Sequence, residues 1–293
     1  MEDDEPRGLA DFDIVRFHQG DWYPESDAVA REEPLEVRLN DRTIVYLMRL
    51  PGDDVLLAAG FCFSEGLVES RGQIKMIHHC VEGEALSVDS QRSGKTGASP
   101  PSAPGNLVEI KAKLASGLER FDDARIVRTG CGGGDLEREV DLAGIKVESE
   151  ARFSPDVIAN SPDLLLGGQE VFQATGGTHG ACAFDGSGKV LVVKEDVGRH
   201  NAVDKVLGYL FMSGESTSDK GLILSGRLSY EMVLKGARAG IPLMCSVSAP
   251  TALGIEVART AGVTLVGFLR GGNFNVYSYP GRIRPSDSST LAT

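Results

Sequence analysis

One cysteine of this chain stands in a setting suited to covalent chemistry. In Arg128-Thr-Gly-Cys131-Gly-Gly-Gly134-Asp the thiol is flanked by glycines, with no neighbouring side chain to shield it. Glycine backbone also approaches a ligand or partner closely and adopts positive φ without strain. Exposed amides and Arg128 favour the thiolate, which is the nucleophile. A carrier cysteine that must dock at two partners in turn needs this access. A glycine-rich surface loop with an incidental cysteine has the same spacing, so spacing alone leaves both readings open.

Four further stretches carry polar groups in a binding pattern. His179, in Ala174-Thr-Gly-Gly-Thr-His179-Gly-Ala, sits in a loop opened by two glycines, where it can orient a phosphate or move a proton; a purely structural histidine fits as well. Glu195-Asp-Val-Gly-Arg199-His200-Asn-Ala-Val-Asp204-Lys205 follows a strand pattern and opens a helix. Such a turn presents Arg199 and backbone amides to an anion. His200 and Asp204, four residues apart, share one helix face, so the carboxylate is expected to fix the imidazole. Leu224-Ser-Gly-Arg227 is again a strand-to-helix junction, and Ser225, the Gly226 amide and Arg227 form a candidate anion cradle. Gly267-Phe268-Leu-Arg270-Gly-Gly-Asn273 combines an aromatic ring, an arginine and flexible backbone, a set able to hold a purine and its phosphates.

The elements that must position these groups are legible in outline. Residues 34–40 and 43–48 flank Asn40-Asp41, a hairpin signal. Pro51-Gly-Asp-Asp54 predicts a helix start running toward Gly66. Short alternating segments lie at 74–79 and 107–113, with a Ser/Gly/Pro-rich stretch from 90 to 105 that reads as a mobile loop. In the second half, aliphatic runs at 189–194, 221–224, 241–247 and 263–267 are separated by helical patterns at 202–210, 230–239 and 251–261. Alternating strand and helix predicts an α/β fold with a largely parallel sheet covered on both faces. Ligands in such sheets sit beyond the carboxyl ends of strands. The expected division is an acidic flexible tail (1–29), a small α+β domain (30–120), a mobile Gly/Cys loop and connector (121–150), an α/β ligand-binding domain (151–283) and a second flexible tail (284–293).

Bulk composition bounds the function. The chain has 293 residues, 41% hydrophobic and 25% charged, enough for a substantial core. A net charge of −12 opposes general affinity for nucleic acid. No apolar run approaches a membrane span of about 18 residues, and the acidic N-terminus lacks the features of a secretory signal. Five scattered cysteines do not form a disulfide framework, and a reducing cytoplasm is the expected setting.

The segments EDVGRHNAVDKVLG, SGRLSYEMVLKGARAG, SAPTALGIEVA and TLVGFLRGGNFNVY resemble those of the formate dehydrogenase accessory sulfurtransferases, the FdhD family. PGDDVLLAAGFCFSEGL and RTGCGGG occur in the family's order, and the resemblance spans roughly residues 30 to 282. It implies a cytoplasmic homodimer that accepts persulfide sulfur from a cysteine desulfurase. The sulfur then passes to the molybdenum bis(molybdopterin guanine dinucleotide) cofactor before insertion into formate dehydrogenase. It also implies a three-layer sandwich with a mixed sheet, similar to the cytidine deaminase fold. By position, the persulfide cysteine is Cys131, and the cofactor-contacting loop is Phe268, Leu269, Arg270, Gly271, Gly272 and Asn273. Arg199, His200, Ser225, Arg227 and His179, read from the stretches above, complete the candidate cofactor-binding set. One departure is plain: where the family carries Cys-x-x-Cys, the second position here is Gly134. No internal disulfide can close across that loop, and a candidate metal ligand is missing, so tightly bound zinc is not expected. Two other readings remain at this stage: a cofactor-binding chaperone without sulfur chemistry, and, by fold analogy alone, a zinc hydrolase.

Overall fold

The computed structural model describes residues 8–80, 106–115, 127–128 and 144–284, the side chains of 127–128 excepted. Two tight turns shape the first third. Gln19 and Gly20, at φ 53° and 102°, reverse β1 (Leu9–His18) into β2 (Asp21–Ala30), a two-stranded antiparallel arm. Asn40 and Asp41, at φ 51° and 67°, do the same between β3 (Glu33–Leu39) and β4 (Arg42–Arg49). Turns with two residues at positive φ match the twist of the strands they join, and Asn and Asp tolerate that conformation. The hairpin predicted at Asn40-Asp41 is present. The arm departs from the flexible tail predicted over 1–29. Leu9–Ala30 pairs throughout its length because Val15 and Phe17 on one strand face Pro24 and Trp22 on the other. That is an apolar period of two, hidden in the composition by the surrounding carboxylates.

A helix, α1 (Asp54–Ser64), follows and buries Leu57, Ala58, Phe61 and Cys62 against the strands. With β5 (Ile74–Cys80), β6 (Leu107–Ala112) and β7 (Val127–Arg128), the first sheet runs β5-β6-β3-β4-β7. The second half adds α2 (Pro155–Leu166), α3 (Glu170–Thr175), β8 (His179–Asp185), β9 (Val190–Asp196), α4 (Arg199–Ser213), β10 (Lys220–Leu224), α5 (Tyr230–Arg238), β11 (Leu243–Ser246), α6 (Ala252–Ala261), β12 (Thr264–Arg270) and β13 (Asn273–Ser278). Its sheet is ordered β13-β12-β11-β10-β8-β9.

Side-chain alternation gives this sheet two buried faces. Ala181, Ala183, Leu222, Leu224, Met244 and Leu265 pack with α4, α5 and α6. Cys182, Phe184, Ile223, Leu243, Cys245 and Val266 pack with Ile158 and Leu165 of α2. The result is three layers, as expected. The sheet is not largely parallel: β10-β11-β12 run parallel, while β8, β9 and β13 run antiparallel to their neighbours. The short turns between β8 and β9 and between β12 and β13 can join only antiparallel strands, which overrides the strand-helix alternation.

The two sheets meet through helices. A Cβ on Gly60 of α1 would lie 1.8 Å from the Asp204 carbonyl oxygen of α4, and one on Gly208 would lie 1.9 Å from that of Leu56. The helix backbones touch, and only glycine permits it. Beside this crossing, buried Lys235 of α5 reaches both carboxylate oxygens of Asp204 at 3.0 Å and Ser64 Oγ at 2.9 Å. Among the described residues no helix is long and apolar enough to cross a membrane.

Candidate functional site

Parallel β10, β11 and β12 bring their carboxyl ends to one edge of the sheet. Antiparallel β8 starts there and β9 ends there, with His179 opposite Asp196. Five strand ends therefore converge, and they carry most of the sequence-predicted binding residues.

Asp196 organises the entrance to α4. Its carboxylate accepts the Gly198 amide at 2.9 Å, the Asn201 side-chain amide at 2.9 Å and the Leu50 amide at 3.1 Å. Lys205, 2.8 Å away and equally buried, neutralises it. The turn so fixed sets Arg199 and His200 on the first turn of α4. Glu195 does similar work for β8: it accepts the Val171 and Phe172 amides at the start of α3 and the Thr178 hydroxyl at 2.7 Å. The segment leading to His179 is thereby tied to β9.

His179, Ser225, Arg199 and Gly226 come together. His179 Nδ1 lies 3.1 Å from Ser225 Oγ, which also accepts the Gly180 amide at 3.0 Å. Arg199 lies across Gly226, where an added Cβ would stand 3.3 Å from the arginine's Cβ and Cδ. The Gly226 carbonyl accepts Ser246 Oγ at 2.6 Å, which holds the junction against β11. Among the described residues the buried Arg199 Nε and Ser229 Oγ have no hydrogen-bond partner. Both α4 and α5 begin without a side-chain cap, at Gly198 and Ser229. Uncapped helix N-termini and an unsatisfied guanidinium N–H are all donors, so the cradle fits an anion. Burial first, and then the Arg199 and His200 charges, hold the His179 pKa below its ordinary value.

The expected His200–Asp204 contact is not formed. His200 Nε2 pairs with Glu231 of α5 at 2.8 Å, while Asp204 points inward to Lys235 and Ser64. An acid at that helix position is claimed by the buried ammonium, and the largely buried histidine takes the acid of the neighbouring helix.

Arg227 lies exposed beside this cradle, and β12 lies two strands from β10, about 10 Å. The β12–β13 register shifts between Gly267 and Arg270, and Phe268 takes φ 57°. This bulge turns Phe268 outward to 41% exposure and leaves Leu269 buried at 1%. Leu269 therefore offers a ligand only its backbone. A left-handed phenylalanine is strained, a feature concentrated at ligand clamps. The Phe268 amide donates to the Ser248 carbonyl at 3.0 Å, which fastens the strained segment to the loop after β11. Gly271 and Gly272, at φ 53° and 79°, make the turn, with Arg270 and Asn273 exposed on either side.

Cys131 lies outside the described residues. Of the other cysteines, burial pushes the Cys62 and Cys182 thiols up to about 12 and raises Cys245 as well, so these are inert core groups. Sequence reading missed Glu195, Asp196 and Glu231 as the groups that hold the site. Two of them stand at the head of the quoted EDVGRH run, and their position before a helix start was a usable signal. Glu231 had none, because its partner lies 31 positions away (231 − 200).

A model of the FdhD/NarQ family matches residues 30–284. The chain is 36% identical to the sulfur carrier protein FdhD of Streptomyces avermitilis over 278 residues, covering 92% of this chain and 94% of that one. It is 37% identical to that of Saccharolobus solfataricus, covering 93% and 97%. A crystal structure from Desulfotalea psychrophila, named for an accessory role to formate dehydrogenase, is similar with TM-score 0.73 and 27% identity. It covers 94% of this chain and 100% of its own.

Proposed function

The chain belongs to the FdhD/NarQ family, and from that membership we propose that it is a sulfur carrier protein of formate dehydrogenase maturation. Cys131 accepts persulfide sulfur from a cysteine desulfurase and hands it to the molybdenum bis(molybdopterin guanine dinucleotide) cofactor, here the substrate. Arg199 and the amides opening α4 and α5 take the cofactor's phosphates, with Arg227 and Arg270 beside them. Phe268 offers a face for the base. The protein works in the cytoplasm as a homodimer, and the exposed aromatic arm β1–β2 supports pairing with a second copy.

One observation carries the reading. β7 runs parallel to β4, with Arg128 beside Tyr46. Past that row, β4 leads straight to the start of α4: the Met48 carbonyl accepts Asn201 Nδ2 at 2.7 Å, and the Leu50 amide donates to Asp196. β7 thus runs, beside β4, toward the end of the molecule where the anion cradle opens. Cys131 follows Arg128 by three residues in the sequence. That order along the chain supports a role for Cys131 beside the cradle.

Incubation with a desulfurase and cysteine is expected to add one sulfur atom at Cys131, read by peptide mass spectrometry. Cys131→Ala should keep guanine nucleotide binding and lose formate dehydrogenase maturation. Full maturation by that variant would favour the second reading, a cofactor-binding chaperone, which the glycine at position 134 keeps in play.

A further inference from the structure

We propose that His179 serves the anion cradle as a neutral hydrogen-bond donor through Nε2, in a tautomer fixed by Ser225. This rests on the anion-binding role of the cradle given above and concerns how the imidazole takes part in it.

The donors and acceptors around Ser225 decide the tautomer. A hydroxyl has one hydrogen to give. Ser225 Oγ already accepts the Gly180 amide, and its other neighbour is His179 Nδ1 at 3.1 Å. Were Nδ1 protonated, the serine oxygen would face two donors, and its own hydrogen would have no acceptor among the described residues. With Nδ1 bare, Ser225 and Nδ1 are both satisfied: Gly180 donates to Ser225, and Ser225 donates to Nδ1. The ring hydrogen then sits on Nε2, which has no hydrogen-bond partner among the described residues.

The surrounding charges keep the second proton off. Arg199 and His200, from the first turn of α4, oppose a cationic imidazole, and burial opposes it further. Asp196 at the end of β9 favours the cation but is outweighed, its carboxylate already held by Lys205. From α5, Glu231 is engaged by His200. Arg199 already supplies positive charge to the cradle. A neutral N–H adds direction without a second buried charge, and a site so arranged reads geometry rather than total charge.

The full chain with ¹⁵N-labelled histidine, assigned by comparison with His179→Gln, tests this in long-range ¹H–¹⁵N spectra at neutral pH. Spectra are taken with and without guanosine diphosphate as probe. The Nε2–H pattern is expected in both states; an Nδ1–H or imidazolium pattern for His179 overturns the proposal. In the same preparations, His179→Ala should weaken the nucleotide roughly tenfold to a hundredfold, the loss of one hydrogen bond to a charged group. His179→Gln keeps a neutral donor and should stay within a few-fold of wild type. A glutamine variant as weak as the alanine variant overturns the neutral-donor role. Wild type that fails to bind guanosine diphosphate leaves the N–H with no recipient and overturns the donor role together with the cofactor reading. A protonated His179 in a protein that does bind would overturn this inference alone.

Discussion

His179 links the chemistry of the cradle to acid stability. Its folded-state pKa is held below the ordinary 6.5 by burial and by Arg199 and His200. As pH falls through 6.5, the unfolded chain takes up a proton that the folded chain refuses. Protonation therefore favours unfolding, and stability drops until pH passes the lowered folded value, after which this contribution is constant. His179→Gln removes the titration. Urea midpoints at pH 7.5 and pH 5.5 should thus fall less for the variant than for wild type; equal falls would show that His179 does not set this slope. At the same scale, Arg199 and Ser225 drew notice because glycine and polar groups at strand-to-helix junctions are a local signal, and His179 because two glycines open the loop before its strand. The groups that hold them were not, since Asp196, Glu195 and Glu231 act through partners distant in sequence. The helical spacing that suggested His200–Asp204 was sound geometry, but burial of Lys235 claimed the aspartate.

Elements place these residues, and the crossing of α1 and α4 is the tightest joint. Intrinsic propensity alone would make Gly60→Ala stabilising by about 1 kcal/mol in an open helix. Here the added methyl meets the Asp204 carbonyl oxygen at 1.8 Å, so the helices must part. The expected outcome has the opposite sign, a loss of about 2–3 kcal/mol or more in urea unfolding. Guanosine diphosphate binding should weaken with it, because α4 carries Arg199 on its first turn. A neutral or stabilising substitution would mean that the two helices do not touch as described. What the sequence hid at this level has physical reasons. β8 reads His179-Gly-Ala-Cys-Ala-Phe-Asp, small residues of low strand propensity, and it is a strand because neighbours on both edges pair with it. α2 carries usable signals, a Ser154 cap and Pro155 at its first position. The hairpin at Asn40-Asp41 and the helices after β9, β10 and β11 were legible, because turn residues and caps act locally.

At the scale of the whole molecule, the arm β1–β2 contributes no residue to the three buried apolar clusters. The arm β1–β2 exposes Phe12 at 56%, Phe17 at 57%, Trp22 at 67% and Tyr23 at 50%. Its ion pairs, such as Arg16 with Glu25 at 2.6 Å, are exposed and contribute little. A two-stranded ribbon wet on both faces is marginal by itself. Aromatic side chains of about 150–250 Å² each, half or more exposed, leave about 450 Å² of ring surface per arm in water. Two arms and the surfaces that cover them would together bury about 1,800 Å², the size of a standard specific interface. A reciprocal exchange of arms is closed by a two-fold axis and leaves no sticky end to propagate. Light scattering after size exclusion is therefore expected to give a dimer for wild type and a monomer for Phe17→Ser combined with Trp22→Ser. The helical signal in far-ultraviolet circular dichroism should be unchanged, since neither side chain packs in a core. A wild-type monomer, or a dimer indifferent to both substitutions, would remove the arm from the interface. The base of the arm abuts the segment before His179, where a Cβ on Gly177 would lie 3.3 Å from Ala30 Cβ. Loss of the dimer should therefore also weaken guanosine diphosphate, by less than His179→Ala does, because the arm acts on the cradle only through that segment.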